Sequence, residues 1–223
     1  MKVFFERRVE LAPSIWEYFF RPERPIDFVP GQYAGLSLPG VTGDPRGSRR
    51  VFTFTSLPSD ELASFVLKIP EPHTQYKEIL SHLSPGTECK IDDAMGDLIL
   101  PKSPAQPLVY IAGGIGVASY ASMFKQLLAA KEERPIYFFY AMRSRTEQIF
   151  RELCDAYPLQ LKQLVYAPNR LTAQEIKDST PPDSFLYLSG SQRFVESLKS
   201  ELESLGTPRS SIVFDYYDGY VDL

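Results

Sequence analysis

A small antiparallel β-barrel followed by a doubly wound parallel α/β sheet is the fold class this sequence predicts, on three observations. The first hundred residues carry short alternating runs broken by Gly and Pro turns, with one helical stretch among them. After the proline-rich connection Pro101-Lys-Ser-Pro-Ala-Gln-Pro107, strands and helices alternate. At the start of that second half the apolar run Leu108–Ala112 is followed at once by Gly113, Gly114 and Gly116 and then by a helical stretch. A strand, a glycine turn and a helix present bare backbone N–H groups at one point, which suits a pyrophosphate. The boundary is read near residue 102, giving domains over 1–102 and 103–223.

In the first domain, Lys2–Leu11 and Ser14–Phe20 read as strands parted by Ala12-Pro13. Phe28-Val-Pro-Gly-Gln-Tyr33 turns into a third strand ending near Leu38, and Val41–Ser48 is a loop. Arg50–Thr55 and Phe65–Ile69 alternate again. Thr74–Leu83 has Tyr76, Ile79, Leu80 and Leu83 on one helical face with Thr74 placed to cap it, and Pro85-Gly86 ends it. Cys89–Ile91 and Leu98–Leu100 are the last strands of the barrel. In the second domain the strands are Leu108–Ala112, Ile136–Met142, Gln160–Ala167, Phe185–Ser189 and Ile212–Asp215. Between them lie helices over Val117–Lys131, Thr146–Tyr157, Thr172–Asp178 and Arg193–Leu205.

Composition narrows the function classes. The chain has 223 residues, 43% hydrophobic and 13% aromatic, with a net charge of −4, which describes an ordinary globular protein and argues against a general nucleic-acid binder. No apolar run approaches the roughly 20 residues of a membrane span. Met1–Arg8 lacks the pattern of a signal peptide, and the expected location is the cytoplasm. Cys89 and Cys154 stand in no ligand spacing and read as reduced, buried thiols, and His73 and His82 suggest no metal site.

Three strand ends of the second half carry candidate chemistry. A dinucleotide fingerprint asks for a further glycine at 119, where Ser119 stands instead. At the end of the second strand, Arg143, Ser144 and Arg145 occupy the place where an acidic residue would hold the ribose hydroxyls of NAD, which favours a 2′-phosphate and NADPH, or they are solvated residues starting a helix, Arg145 in particular. Ser189-Gly190-Ser191 ends a strand with a backbone able to lie close to a planar ring. In the first half, alternation along Arg50–Ser56 puts Arg50, Phe52 and Phe54 on one side and Val51, Thr53 and Thr55 on the other. That strand offers an arginine, an aromatic ring and a hydroxyl, or simply a core-facing edge.

Taken together these stretches resemble the ferredoxin–NADP reductase superfamily of FAD-dependent oxidoreductases. Pro30-Gly31-Gln32-Tyr33 is similar to its turn before the third strand, and Arg50-Val51-Phe52-Thr53 to its flavin motif, Arg-x-aromatic-Ser/Thr. Thr74-Gln75-Tyr76-Lys77 resembles its pyrophosphate-binding helix start, and Gly96-Asp97 with Leu100-Pro101 its closing barrel strand. Ala112–Gly116 resembles its NAD(P) turn, Ser189-Gly190 its nicotinamide strand end, and Asp215-Tyr-Tyr-Asp-Gly-Tyr220 its C-terminal signature.

The resemblance implies that Arg50 pairs with the FAD pyrophosphate, Phe52 lies against the isoalloxazine, and the Thr53 hydroxyl reaches flavin N5. Val51, Leu67 and Ile69 would line the flavin, and Thr74, Gln75 and Tyr76 would hold its phosphates. Gly113, Gly114, Gly116, Val117 and Ala118 would cradle NAD(P)H, with Arg143 and Ser144 at its ribose and Ser189, Gly190, Ser191 and Asp215 near the nicotinamide. Tyr217 would cover the other flavin face. The implied activity is hydride transfer from NAD(P)H, NADPH preferred, to FAD, and then electron transfer to a separate acceptor such as ferredoxin, flavodoxin or an oxygenase component. A free-flavin or ferric reductase and a non-catalytic flavin- or nucleotide-binding module of a larger redox complex are the alternatives. The chain departs from the resemblance at Ala118-Ser119, where many relatives have Thr-Pro, at Ser189, where many have cysteine, and in continuing past Tyr217.

Overall fold

The computed structural model describes residues 1–217, Tyr217 by its backbone alone, and the chain divides into two compact units, Met1–Ile99 and a second beginning at Leu100. The first unit is a six-stranded antiparallel sheet. Its strands are β1 (Lys2–Ala12), β2 (Ile15–Pro22), β3 (Tyr33–Ser37), β4 (Arg49–Thr53), β5 (Ala63–Lys68) and β6 (Glu88–Ile91), in the order β4-β3-β6-β1-β2-β5. The two end strands meet: Phe54 bridges Phe65, and the Thr55 amide donates to the Ser64 carbonyl at 2.9 Å. The sheet therefore closes on itself and leaves few unpaired edges.

Inward positions of the alternating strands fill the barrel. Phe5, Tyr18, Phe20, Phe54 and Phe65 form one aromatic core, with Phe28 stacked on Phe54 at 4.0 Å between ring centres. Each such side chain contributes about 1.5–3 kcal/mol by leaving water. Helix α1 (Gln75–Ser81) closes one end through Tyr76 and Leu80, and Thr74 caps it by accepting from the Lys77 amide.

One expected strand is absent. Leu98–Leu100 is irregular, and Met95 makes the bridge to Tyr33 instead. Gly96, at φ 107, and a tight turn from Asp97 to Ile99 break the extended path before it can pair. The Tyr33 ring packs over Gly96, where a Cβ would lie 2.8 Å from it, and the Gln32 amide donates to the Gly96 carbonyl at 3.3 Å. Two motifs far apart in sequence are thus one piece of structure.

The second unit is a five-stranded parallel sheet of β7 (Leu108–Gly113), β8 (Ile136–Met142), β9 (Leu161–Tyr166), β10 (Phe185–Ser191) and β11 (Ile212–Tyr217), in the order β11-β10-β7-β8-β9. Helices α2 (Ala118–Ala130), α3 (Arg151–Ala156), α4 (Ala173–Ser179) and α5 (Gln192–Ser204) connect them. The chain winds one way from β7 to β9 and then crosses back to β10, so the topological switch falls between β7 and β10, where such sheets bind ligands. The expected helix Thr146–Tyr157 is broken: a 3-10 turn spans Arg145–Glu147, and Phe150, at φ 54, starts the shorter α3. Among the described residues, no helix is long and apolar enough to cross a membrane, and no group of three or more His, Cys, Asp or Glu is placed to hold a metal.

Candidate functional site

The glycine turn of the second unit is shaped by close packing. Gly114 takes φ 54, a left-handed conformation that glycine adopts without strain. Gly116 lies against β10 so tightly that a Cβ there would sit 2.1 Å from the Ser189 carbonyl oxygen. Gly113 and Gly190 face the Phe194 ring, with hypothetical Cβ atoms 2.6 and 2.9 Å from it. These three glycines let the turn, the β10 end and the start of α5 converge. Gly113, Gly114 and Ile115 keep part of their surface accessible, whereas Val117 and Ala118 are each 1% exposed.

Register places the other strand-end residues beside the turn. Ser189 pairs with Ala112 on one side and with Asp215 on the other. The Ser189 hydroxyl is fully buried and shares a 3.0 Å hydrogen bond with Ser119. The residue that stands where a third glycine was sought is therefore tied to the one that stands in place of cysteine. Ser191 caps α5 by accepting from the Phe194 amide at 3.3 Å. Arg143 is exposed at the end of β8, Ser144 shares a 2.6 Å hydrogen bond with Thr146, and Arg145 lies over the Tyr166 ring. The Tyr217 ring and Asp218, Gly219 and Tyr220 lie outside the described residues.

In the barrel, Arg50 is the centre of a polar cluster. Its side chain is only 10% exposed, pairs with Asp44 at 2.6 Å, and donates to the carbonyls of Arg46, Gly47 and Arg49. Its guanidinium also lies 4.9 Å from the centre of the Tyr76 ring, a cation–π contact. The Asp44 carboxylate accepts from the Arg46 amide at 2.9 Å and the Tyr76 amide at 3.1 Å. Burial alone would push that carboxyl up; the two amides, Arg50 and the Thr74 hydroxyl hold it down at about 2. The Gln75 side chain accepts from the Thr42 and Gly43 amides at 3.0 and 2.7 Å. Arg50, Thr74, Gln75 and Tyr76, expected from sequence to meet a phosphate, do come together, and all four contact the 42–47 loop.

The remaining barrel residues divide by face. Phe52 is 9% exposed and packs against Phe65 and Tyr76 in the core, so little of its ring is open to a flavin. Leu67 and Ile69 are buried in the same core, whereas Val51 is 40% exposed. Thr53 ends β4 opposite Tyr33 and is 4% exposed. Sequence reasoning missed two acidic residues. Asp44 is the only carboxylate from residue 28 to 59, in a stretch with three arginines, and that isolation was the available signal. Glu17, 7% exposed, accepts from the Thr55 and Ser64 hydroxyls at 2.8 Å each, and nothing in its strand marks it out.

The sequence profile of the oxidoreductase NAD-binding domain matches residues 110–200, the span of the glycine turn and the Ser189–Ser191 strand end. The reductase component DmpP of a phenol 2-monooxygenase from Pseudomonas sp. is 32% identical over 67% of this chain and 42% of its own length. The second half of the chain thus carries an oxidoreductase NAD-binding domain, and the whole has the two-part fold of ferredoxin–NADP reductases. Flavohemoprotein A of Dictyostelium discoideum is 23% identical over 95% of the chain and 59% of its own length. The chain thus spans about half the length of the curated relatives it matches. Among solved structures, the ferredoxin-NADP+ reductase of Plasmodium falciparum with 2'P-AMP has a TM-score of 0.80 at 16% identity, covering 97% of this chain and 95% of that one. That likeness extends the two-part fold across nearly the whole chain.

Proposed function

We propose that this chain is an NAD(P)H-dependent FAD oxidoreductase that delivers electrons to a separate acceptor. The observation that carries the reading is the Gly113–Gly116 turn, set at the switch point of a parallel sheet and packed on the Ser189 backbone. FAD, when bound, accepts hydride from the nicotinamide and passes electrons on singly or in pairs. The residues present fit it: a guanidinium, a hydroxyl and a backbone amide already hold one anion in the barrel, the donor set a diphosphate needs. In this reading Arg50, Thr74, Gln75 and Tyr76 would serve the diphosphate of the flavin in the 1–102 domain, and Thr53 would supply a hydroxyl to N5. Val51, exposed on β4, lines the flavin, and Phe52, Leu67 and Ile69 back the site from the core.

In the 103–223 domain, the accessible Gly113–Ile115 turn serves the nucleotide phosphates, and Gly116, Val117 and Ala118 pack it from behind. Arg143 and Ser144 favour a 2′-phosphate, hence NADPH over NADH. Ser189, Gly190, Ser191 and Asp215 serve the nicotinamide end. The relatives' names include reductase components of oxygenase systems, and an oxygenase component or a ferredoxin is the class of acceptor we assign. Both cysteines are free and buried, which fits a reducing compartment, and we place the activity in the cytoplasm. The test is FAD-dependent reduction of ferricyanide by NADPH with the purified chain. Activity that needs both supports the reading, and its absence at saturating FAD and NADPH counts against it.

A further inference from the structure

Asp44 sits where an anion belongs. Its Oδ1 accepts from Arg50 Nη2 at 2.6 Å and from the Arg46 amide at 2.9 Å, and its Oδ2 accepts from the Tyr76 amide at 3.1 Å. Its side chain is 0% exposed, so it is a buried anion on a nearly buried guanidinium. A guanidinium nitrogen, amides and a hydroxyl on one anion are also a donor set with which proteins hold phosphate. Helix α1 has seven residues and adds little dipole, so the holding power rests on Arg50. The loop is pinned around this pair, since the Gly47 amide closes on the Asp44 carbonyl at 2.9 Å and Gln75 holds the Thr42 and Gly43 amides. Further positive charge stands nearby: burial first, then Arg46, Arg50 and Lys68, lower the Lys77 ammonium to about 8.

We propose that Asp44 is an internal stand-in for a phosphate group and a selectivity element of the barrel, set against flavins that carry a diphosphate. The proposal rests on the reading that the barrel holds a flavin. A diphosphate gains Arg50 Nη2 and the Tyr76 amide only when the 42–47 loop withdraws its carboxylate, because two anions on one buried guanidinium repel each other. A flavin without phosphates meets no such opposition. The barrel as it stands therefore holds FAD more weakly than its donors allow, as an exchangeable rather than a permanent occupant.

The test compares the wild type with Asp44→Asn, which keeps the volume and an oxygen for the Tyr76 amide while removing the charge. FAD and riboflavin are titrated by flavin fluorescence, and inorganic pyrophosphate by its effect on the thermal midpoint. Asp44→Asn is expected to bind FAD at least about tenfold more tightly and riboflavin within about twofold, tenfold being 1.4 kcal/mol. Pyrophosphate is expected to raise the midpoint of the variant alone. Unchanged FAD affinity overturns the proposal, and weaker affinity does so by making Asp44 a positioning residue for Arg50. A measurement on the wild type needs no variant: saturating FAD is expected to speed amide hydrogen exchange across residues 42–47, and unaltered exchange with FAD bound overturns the proposal. If no flavin binds either protein while pyrophosphate still stabilises only the variant, the stand-in is supported and the flavin reading fails.

Discussion

Gly116→Ala puts a methyl group into the backbone of the neighbouring strand. The new Cβ would lie 2.1 Å from the Ser189 carbonyl oxygen, 2.4 Å from its carbon and 2.7 Å from the Gly190 nitrogen. None of these is a side chain that can swing aside, so the turn and the end of β10 must part by more than about 1 Å to restore ordinary contact. Overpacking of this kind costs about 3 kcal/mol, a large share of the roughly 5–15 kcal/mol that keeps a domain folded. Gly114→Ala is the matched control: nothing lies within 4 Å of its Cβ, and only the left-handed φ of 54 opposes it. That conformation costs alanine about 1 kcal/mol. Differential scanning calorimetry should show the transition of the second unit falling by about 6–12 °C for Gly116→Ala and about 2–4 °C for Gly114→Ala. A Gly116→Ala midpoint at or above that of Gly114→Ala refutes the packing argument.

Four further outcomes are expected. Thr53→Val keeps shape and loses a hydroxyl, so anaerobic stopped-flow should show flavin reduction slowed about tenfold or more with FAD affinity little changed. Arg143→Ala should raise the KM for NADPH about tenfold and leave that for NADH near its wild-type value, as steady-state kinetics with both nucleotides will show. Ser189→Ala removes half of a buried hydroxyl pair and should cost about 1 kcal/mol in urea unfolding. The Asp44 carboxyl falls from the usual 3.8 to about 2 on folding, so its stabilising part is present above pH 3.8 and lost as pH drops through 2. The stability gap between wild type and Asp44→Asn should therefore narrow by about 2 kcal/mol at most over that window, measured by urea titration at several pH values.

What was legible in the sequence was local. The glycine turn declares itself because strand, turn and helix are consecutive, and the β–α alternation of the second half follows from hydrophobic period alone. Pro30–Tyr33 and Gly96 were each visible as motifs, but that the Tyr33 ring rests on Gly96 was not. Asp44 was hidden for the same reason, since its partner Tyr76 lies 32 residues away and a loop of polar residues carries no period. Glu17 reads as the outward residue of an alternating strand until Thr55 and Ser64 are seen to enclose it. The helix expected over Thr146–Tyr157 failed at Phe150, because a left-handed residue other than glycine leaves no compositional trace.

Hydride delivery to the flavin is tested by anaerobic mixing of the FAD-loaded chain with NADPH or NADH, followed in the visible spectrum. The flavin band is expected to bleach within seconds, and deuterium at the transferred position of the nicotinamide C4 is expected to slow the bleaching. A band that persists with both nucleotides, while FAD remains bound, contradicts hydride delivery.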